Sequence, residues 1–226
     1  MTSILEKNIK IGSKKESKGI ILCGSCQTEM AKLPKESVNL TVTSPPYDNI
    51  RDYKGYCFED EDFKRIVSEL YRITKKGGVV VWVVGDATMK GGETGTSFRQ
   101  ALGFIEGGFK LHDTMIYEKN TSSFPAQRKG KRYTQIFEYM FVFCKGKIKT
   151  GNLICDKANK WAGHTNWGKN TQRGKDGKLK ETKDIKPVPD FSPRNNIWRY
   201  NVGKGFNSTD KDSHKHPAIF PEKLAE

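Results

Sequence analysis

The residues best suited to chemistry lie in a short proline-rich turn, Ser44-Pro45-Pro46-Tyr47. Just before it, Leu40 and Val42 alternate with threonines, the pattern of a half-buried strand. The two prolines fix φ and cannot donate to a sheet ladder, so they end the strand and stiffen the turn. In open α/β sheets the carboxyl ends of the strands face the ligand crevice. The pattern therefore predicts a rigid turn that presents polar groups to a crevice.

The chemistry that suits this turn is transfer of a group to an exocyclic base amine. Such an amine is a poor nucleophile, because its lone pair is delocalised into the ring. Two acceptors aimed at its hydrogens, the Ser44 hydroxyl and the Pro45 carbonyl, would return electron density to the nitrogen. Tyr47 is placed to stack on a base taken out of the duplex, as base-modifying enzymes require. The alternative is that Tyr47 only packs; the preceding strand and the following Arg51-Asp52-Tyr53 favour the chemical interpretation.

The run Thr43-Ser44-Pro45-Pro46-Tyr47 resembles the catalytic motif of the amino-methylating DNA methyltransferases, the N4-cytosine and N6-adenine family. Serine in the first place and the Arg-Asp-Tyr run resemble the cytosine-N4 branch, since the adenine branch usually has aspartate there. The resemblance implies S-adenosylmethionine as methyl donor and double-stranded DNA as substrate. Adenine-N6 specificity is the close alternative, and a non-catalytic DNA-binding remnant or subunit is the alternative from another class.

The composition agrees with a polyanionic partner. The chain has 226 residues and a net charge of +14, from 40 Lys and Arg against 26 Asp and Glu. Its longest apolar run, Val79–Val84, is too short to span a bilayer, and the N-terminus lacks the apolar stretch of a signal peptide. Five cysteines indicate reduced thiols in a cytoplasm. Cys23 and Cys26 are interpreted as packing residues, and His164 has no second ligand at metal spacing, so no metal site is predicted.

The order of the elements predicts an α/β fold. An acidic start precedes an amphipathic helix from Phe63 to Ile73, which the Gly77-Gly78 pair is expected to end. Val79–Val84 is apolar without alternation, as in a strand covered on both faces, so strand, helix and strand form a parallel unit. Leu111–Tyr117 and Thr134–Phe143 read as further strands, where the resemblance places a β-hairpin. The expected fold is a Rossmann-like, S-adenosylmethionine-dependent methyltransferase sheet with a C-terminal β-hairpin, lacking the cofactor-binding half.

Four segments are predicted along the chain. Residues 1–19 form a loose lead-in, residues 20–144 the catalytic half, residues 145–193 a basic recognition segment, and residues 194–226 a return segment. Between Lys145 and Lys186, twelve Lys and Arg stand against four acids, and apolar periodicity disappears. The residues alone leave open whether this stretch recognises DNA or is a disordered basic linker.

A second basic cluster lies between the two predicted hairpin strands. Arg128, Lys129, Lys131 and Arg132 flank a glycine and precede a tyrosine, which suits a loop on the phosphate backbone. A solvated charged loop is the alternative from sequence alone. Its place in the chain favours DNA binding.

The resemblance also implies where the cofactor binds. The stretch from His216 to Leu224 is similar to the family segment that precedes the S-adenosylmethionine site, and its implied cofactor contacts are His216, Pro217, Phe220 and Pro221. Asp86, just beyond Val79–Val84, is expected to line the same crevice. The chain ends before a Phe-x-Gly-x-Gly-like turn, so we expect either a truncated form of a longer enzyme or one half of a split enzyme whose second chain carries that turn. One edge of the strand at residues 39–43 is then expected to be unpaired.

Overall fold

The computed structural model describes residues 4–11, 15–48, 58–120, 131–165, 171–181, 186–202, 208 and 219–225, with side chains from residue 19 onward. Two compact units are present. Met1–Thr150 and Ile197–Glu226 form the larger unit, and Gly151–Asn196 forms the smaller. The smaller unit lies close to the bounds predicted for the basic segment, residues 145–193.

The larger unit carries the long elements. Its strands are β1 (Ile4–Ile11), β2 (Lys15–Leu22), β3 (Val38–Thr43), β4 (Thr74–Val84), β5 (Thr88–Met89), β6 (Gly92–Glu93), β7 (Lys110–Lys119) and β8 (Phe137–Cys144). Its helices are α1 (Cys26–Ala31), α2 (Asp60–Ile73) and α3 (Thr96–Glu106). Then come the short strands of the smaller unit, β9 (Lys157–Ala158), β10 (Thr171–Arg173), β11 (Leu179–Glu181) and β12 (Phe191–Ser192). The larger unit resumes with β13 (Ile197–Tyr200) and α4 (Glu222–Ala225).

The larger unit is built on a five-stranded mixed sheet in the order β13-β7-β8-β4-β3. β3 is parallel to β4, and β13 is parallel to β7, whereas β8 is antiparallel to both of its neighbours. The predicted hairpin is therefore present as β7 and β8. β3 lies at the sheet edge, so within the described residues one of its sides has no ladder partner, and Leu40 is 58% exposed.

β4 is covered on both faces, as its unbroken apolar run predicts. Val80, Trp82 and Val84 belong to a core cluster with α2 and α3. Val83, on the opposite face, belongs to a second cluster, against which Val81 packs. Successive side chains of β4 thus point to opposite faces of the sheet and pack into two separate core clusters.

α2 forms where an amphipathic helix was predicted, and it buries Phe63, Ile66, Val67, Leu70 and Ile73. The predicted end at Gly77-Gly78 is wrong, because those glycines lie within β4. The helix stops at Ile73, since the last-turn carbonyls of Arg72 and Ile73 accept from the backbone amides of Glu36 at 3.0 Å and Ser37 at 2.8 Å. These donors lie far away in sequence and take the place of a local stop signal.

Two glycines let α3 approach α2 closely. A Cβ on Gly103 would lie 2.5 Å from Cε1 of Phe63, and one on Gly107 would lie 2.5 Å from Cγ1 of Val67. Carbon atoms do not pack at such distances, so larger residues at these positions would push the helices apart. The approach brings Gln100 of α3 over the sheet, where its Oε1 accepts from Trp82 Nε1 at 2.8 Å.

Two sequence-based interpretations are corrected at the N-terminal end. Residues 1–19 are not a loose lead-in, because β1 and β2 pair as an antiparallel hairpin in register from Ile4↔Leu22 to Ile11↔Lys15. Because backbone hydrogen bonds form this ladder, polar strands can pair without an alternating apolar pattern. The sequence therefore did not predict the hairpin. Cys23 and Cys26 are exposed rather than packed. In the described part of the chain no helix is long and apolar enough to cross a membrane, and no cluster of three metal-binding side chains occurs.

The described residues of the smaller unit, Gly151–Asn196, form two short antiparallel ladders. β9 pairs with β12, and β10 pairs with β11, each antiparallel over two or three residues. Arg194 Nε donates to Asp156 Oδ2 at 2.9 Å, and Asn159 Nδ2 donates to the Pro189 carbonyl at 2.7 Å. The ordered backbone here is a regular framework rather than a structureless linker.

Candidate active site

The predicted catalytic turn leaves β3 at the carboxyl end of two parallel strands. Thr43 pairs with Trp82 of β4, so the Ser44-Pro45-Pro46-Tyr47 turn begins level with the end of that buried strand. Pro45 is buried and its neighbours in the turn are half-buried. The turn is therefore anchored in the core while part of its surface stays accessible.

The Tyr47 hydroxyl points into the protein. Its ring packs against the core cluster of α2 and α3, and a Cβ placed on Gly85 would lie 3.6 Å from that ring. Tyr47 Oη lies 2.6 Å from Ser44 Oγ, 3.0 Å from Glu138 Oε2 and 3.3 Å from the Val83 carbonyl oxygen. The hydroxyl thus joins the catalytic turn to both β4 and β8.

The direction of these hydrogen bonds follows from the chemistry of the partners. An ionised carboxylate and a carbonyl can only accept, so the single proton of the Tyr47 hydroxyl must point towards Glu138 and Val83. The Ser44 hydroxyl must then donate to Tyr47 Oη. Having used its only proton, Ser44 Oγ presents lone pairs as an acceptor.

Glu138 is held in turn by a lysine. Lys119 Nζ lies 2.5 Å from Glu138 Oε1, and the side chains are 21% and 16% exposed. Tyr117 pairs with Glu138 across the hairpin, so Lys119, two residues further along β7, reaches Glu138 diagonally. The loop end of the hairpin therefore contributes a partly buried ion pair to the edge where the catalytic turn lies.

Asp48 ties the catalytic turn to the glycine-rich loop before α3. Its φ of 40° lies in the left-handed region. Its Oδ2 accepts from the Ala87 amide at 3.1 Å and from the Thr94 hydroxyl, and its Oδ1 accepts from the Thr96 hydroxyl at 2.5 Å. Both carboxylate oxygens are used, so Asp48 locks the loop onto the turn.

Asp86 lies at the end of β4, near the predicted crevice, and caps α3. Its Oδ1 accepts from the Ser97 amide at 2.9 Å, and its Oδ2 accepts from the Ser97 hydroxyl at 2.5 Å. A carboxylate is stabilised there by the unpaired amides of a helix N-terminus. Burial raises the pKa of the Tyr139 hydroxyl, and the charges of Asp86 and Glu93 raise it further.

The structure describes only some of the other predicted site residues. Phe220 is half-buried against the second core cluster, which contains Val83 and Leu224, and Pro221 is buried just before α4. Arg132 Nη1 lies 3.8 Å from Glu93 Oε1, and its Nη2 donates to the Gly91 carbonyl; Lys131 is exposed. His216, Pro217, Arg128, Lys129 and the Arg51-Asp52-Tyr53 run lie outside the described residues.

Sequence reasoning missed Asp48, Lys119 and Glu138. A weak signal existed for Glu138, which is the only charged residue in the otherwise apolar run Phe137–Cys144. Nothing in the sequence indicates that its partner is Tyr47, 91 residues earlier. Asp48 follows the motif directly, and its signal is a small polar residue able to adopt positive φ.

The site thus consists of a proline-rich turn at the carboxyl end of a parallel strand, with the Ser44 and Tyr47 hydroxyls 2.6 Å apart. The sequence profile of the N6/N4 methyltransferase family, described as DNA methylase, matches residues 38–226. The chain belongs to this family of DNA methyltransferases. The match confirms the family that the Ser44 motif predicted and, with it, S-adenosylmethionine as methyl donor.

Individual relatives agree with the family match. The chain is 55% identical over 190 residues to the orphan methyltransferase M.BamHII of Bacillus amyloliquefaciens, covering 84% of this chain and 69% of that protein. It is 30% identical over 150 residues to the type II methyltransferase M.SfiI of Streptomyces fimbriatus, covering 55% of this chain and 35% of that protein. The solved PvuII DNA methyltransferase (cytosine-N4-specific) superposes with a TM-score of 0.54 at 19% identity, covering 89% of this chain and 65% of that one. This likeness confirms the predicted fold class.

Proposed function

We propose that the protein transfers a methyl group from S-adenosylmethionine to the exocyclic N4 amine of a cytosine in double-stranded DNA. One observation carries the proposal: the hydrogen bonds of Tyr47 oblige Ser44 Oγ to act as an acceptor. An acceptor at this point is what an amine needs if its lone pair is to be withdrawn from the ring.

In the proposed reaction the Ser44 oxygen and the Pro45 carbonyl each accept one amine hydrogen. With its lone pair no longer delocalised into the ring, the nitrogen would be poised for direct displacement at the methyl carbon of a bound cofactor. The nitrogen–carbon bond would form as the carbon–sulfur bond breaks, and the methylated nitrogen would release one proton to solvent. When bound, the sulfonium of the cofactor supplies an activated methyl group and a neutral thioether leaving group. The protein needs no nucleophile of its own, so positioning of the amine provides most of the catalysis.

Tyr47 has two roles in this proposal. Its hydroxyl orients Ser44. Its ring is only half-buried against the core, and the remaining surface is proposed to stack on the extruded cytosine. Phe220 and Pro221 fit an apolar wall for the cofactor, because the Phe220 ring packs on the sheet and yet remains partly exposed. His216, Pro217 and Asp86 complete the proposed cofactor contacts, with Asp86 acting through the α3 N-terminus that it caps.

The choice of cytosine rests on the residue in the first place of the motif. Ser44 stands where the adenine-N6 branch usually has aspartate, and the Arg51-Asp52-Tyr53 run follows. Adenine-N6 methylation is the second candidate. A non-catalytic DNA-binding subunit is the third, and the net charge of +14 favours DNA binding in all three.

Two basic regions are proposed to contact DNA. Arg128, Lys129, Lys131 and Arg132 are proposed to bind phosphates, and the Gly151–Asn196 unit is proposed to recognise the target sequence. A second chain that carries the Phe-x-Gly-x-Gly half is proposed to complete the cofactor site. Titration calorimetry tests this last step: S-adenosylmethionine should bind weakly to this chain alone and tightly once that half is supplied.

Analysis of methylated nucleosides tests the function directly. Unmethylated plasmid DNA is incubated with the protein, the cofactor-binding half and S-adenosylmethionine carrying a labelled methyl group. It is then digested to nucleosides, which are separated with mass detection. Label in N4-methylcytosine is the expected result, and label in N6-methyladenine would establish the second candidate. DNA binding with no label in either nucleoside, in the presence of the cofactor-binding half, would support the third.

A further inference from the structure

We propose that the Lys119–Glu138 ion pair is a positioning device that acts through Tyr47 to hold Ser44 Oγ as the acceptor for the target amine. The inference rests on the proposed function and extends it to two residues outside the motif. Neither residue touches the amine. Their effect is transmitted along a chain of hydrogen bonds that begins at Lys119 Nζ and ends at Ser44 Oγ.

The donors of this series all point towards Glu138. Lys119 has only protons to donate, and the Glu138 carboxylate only accepts. Tyr47 must therefore donate to Glu138 at 3.0 Å, and Ser44 must donate to Tyr47 at 2.6 Å. The Val83 carbonyl, at 3.3 Å, favours the same direction but without a full charge.

The carboxylate also adds charge to the chain. Hydrogen bonds to an ionised acceptor are stronger than those between neutral groups, and linked bonds polarise one another. Glu138 thus draws the Tyr47 proton towards itself and makes Tyr47 Oη a better acceptor for Ser44. Ser44 Oγ becomes richer in electron density and binds an amine hydrogen more strongly.

The ion pair is placed for this task. Its side chains are only 21% and 16% exposed, so solvent screens the Glu138 charge less than at the surface. A Cβ on Gly85 would lie 3.5 Å from Glu138 Cγ and 3.6 Å from the Tyr47 ring, which are ordinary contact distances, so both residues lie beside Gly85. Lys119 holds the other carboxylate oxygen and leaves Oε2 directed to Tyr47.

A neutral replacement of the same shape is the first test. Glu138→Gln should lower kcat about tenfold or more, as expected for loss of a charged hydrogen-bond partner, while KM for DNA and for S-adenosylmethionine changes less than about twofold. Glu118→Gln is the matched control, because Glu118 lies on the same hairpin in an ion pair with Arg199 at 2.5 Å. That control should retain wild-type kcat. Equal kcat in Glu138→Gln and wild type would overturn the inference.

A charge swap separates positioning from stability. In the double variant Lys119→Glu, Glu138→Lys, the opposite charges are kept, but an ammonium now donates to Tyr47 Oη and opposes the original polarity. A purely structural pair would tolerate the swap and keep kcat. The inference expects kcat to fall at least as far as in Glu138→Gln with the melting temperature close to wild type.

A double-mutant cycle tests whether the effect passes through Tyr47. Tyr47→Phe removes the linking hydroxyl, so Glu138→Gln added to it should lower kcat no further. Multiplicative losses would overturn the inference, because they would show that Glu138 acts independently of Tyr47. A wild-type protein that methylates neither base even with the cofactor-binding half supplied would overturn the proposed function, whereas an active wild type with an unaffected Glu138→Gln variant would overturn only this inference.

Discussion

The catalytic turn and the Gly151–Asn196 unit are held together by different means. The turn lies on strands with buried side chains, and the Tyr47 hydroxyl contacts β3, β4 and β8 residues or their extensions. In the smaller unit, β9, β10 and β11 are exposed throughout, and Leu153 and Trp161 are 70% and 53% exposed. Side-chain packing fixes the first region, whereas backbone ladders and surface ion pairs fix the second.

This difference suits the proposed division of work. Transfer to an amine requires atoms placed within a few tenths of an ångström, which a packed core provides. Recognition of a different DNA sequence requires different surface side chains. A framework held by backbone hydrogen bonds tolerates such substitutions. Substitutions should therefore have large effects in the first region and small ones in the second.

The largest effect is expected at Ser44. Ser44→Ala removes the proposed acceptor and should lower kcat by about 10²–10³-fold, the loss typical of one aligned hydrogen-bonding group at a reacting centre. Tyr47→Ala should abolish transfer as well, while DNA binding by both variants in a filter or fluorescence assay stays near wild type. Ser68→Ala, at an exposed position of α2, is the control. Near-normal methylation by both active-site variants would refute the catalytic assignment.

The second-largest effect is expected on the free energy of unfolding, at a tightly packed glycine. Gly103→Ala places a Cβ 2.5 Å from Cε1 of Phe63 and should lower the free energy of unfolding by about 1–3 kcal/mol. Gly151→Ala, where a Cβ would meet nothing within 4 Å, should change it by less than about 0.5 kcal/mol. Urea denaturation followed by circular dichroism measures both. Equal losses at the two glycines would contradict the contrast drawn between the regions.

The basic loop should contribute through charge alone. Replacing Arg128, Lys129, Lys131 and Arg132 with glutamine should reduce the slope of log affinity against log salt by roughly one unit for each lost phosphate contact. Lys64→Gln with Arg65→Gln, on the exposed side of α2, is the control and should leave the slope unchanged. A quadruple variant with the wild-type slope would mean that the loop is an ordinary charged surface.

The smallest effect is expected at a surface ion pair of the smaller unit. A hydrogen bond from Arg194 holds the pKa of the Asp156 carboxyl below its ordinary value. Because the folded pKa is depressed, the contribution of this pair to stability is present above the unfolded pKa of about 3.9 and is lost as pH falls through the folded pKa. Carboxyl NMR titration should show the Asp156 pKa rising in Arg194→Gln. The pKa of Glu118, which Arg199 lowers, should not move in that variant.

Local sequence was informative wherever a single element decided the outcome. The strand before Ser44 and the two-sided burial of β4 follow from patterns of a few residues. The strands β7 and β8 follow from such patterns too, whereas their pairing as a hairpin was implied by the family resemblance. The end of α2 did not, because its last carbonyls are capped by Glu36 and Ser37 from another part of the chain. The link from Glu138 to Tyr47 was also invisible, since a lone acid in a strand does not reveal which distant hydroxyl it meets.

Trp82 sets the position of the catalytic turn along the sheet. Its backbone lies opposite Thr43, the residue before Ser44, and its Nε1 donates to Gln100 Oε1 in the core. A slip of β4 by one residue against β3 would shift the turn by about 3.3 Å along β4 and exchange the inward and outward side chains of β4. It would also leave the buried indole N–H and amide oxygen unpaired, which proteins rarely tolerate. The hydrogen bond between β4 and α3 thus helps to fix the position of Ser44 relative to its proposed substrate. Gln100→Leu would remove that bond without altering any group in the turn.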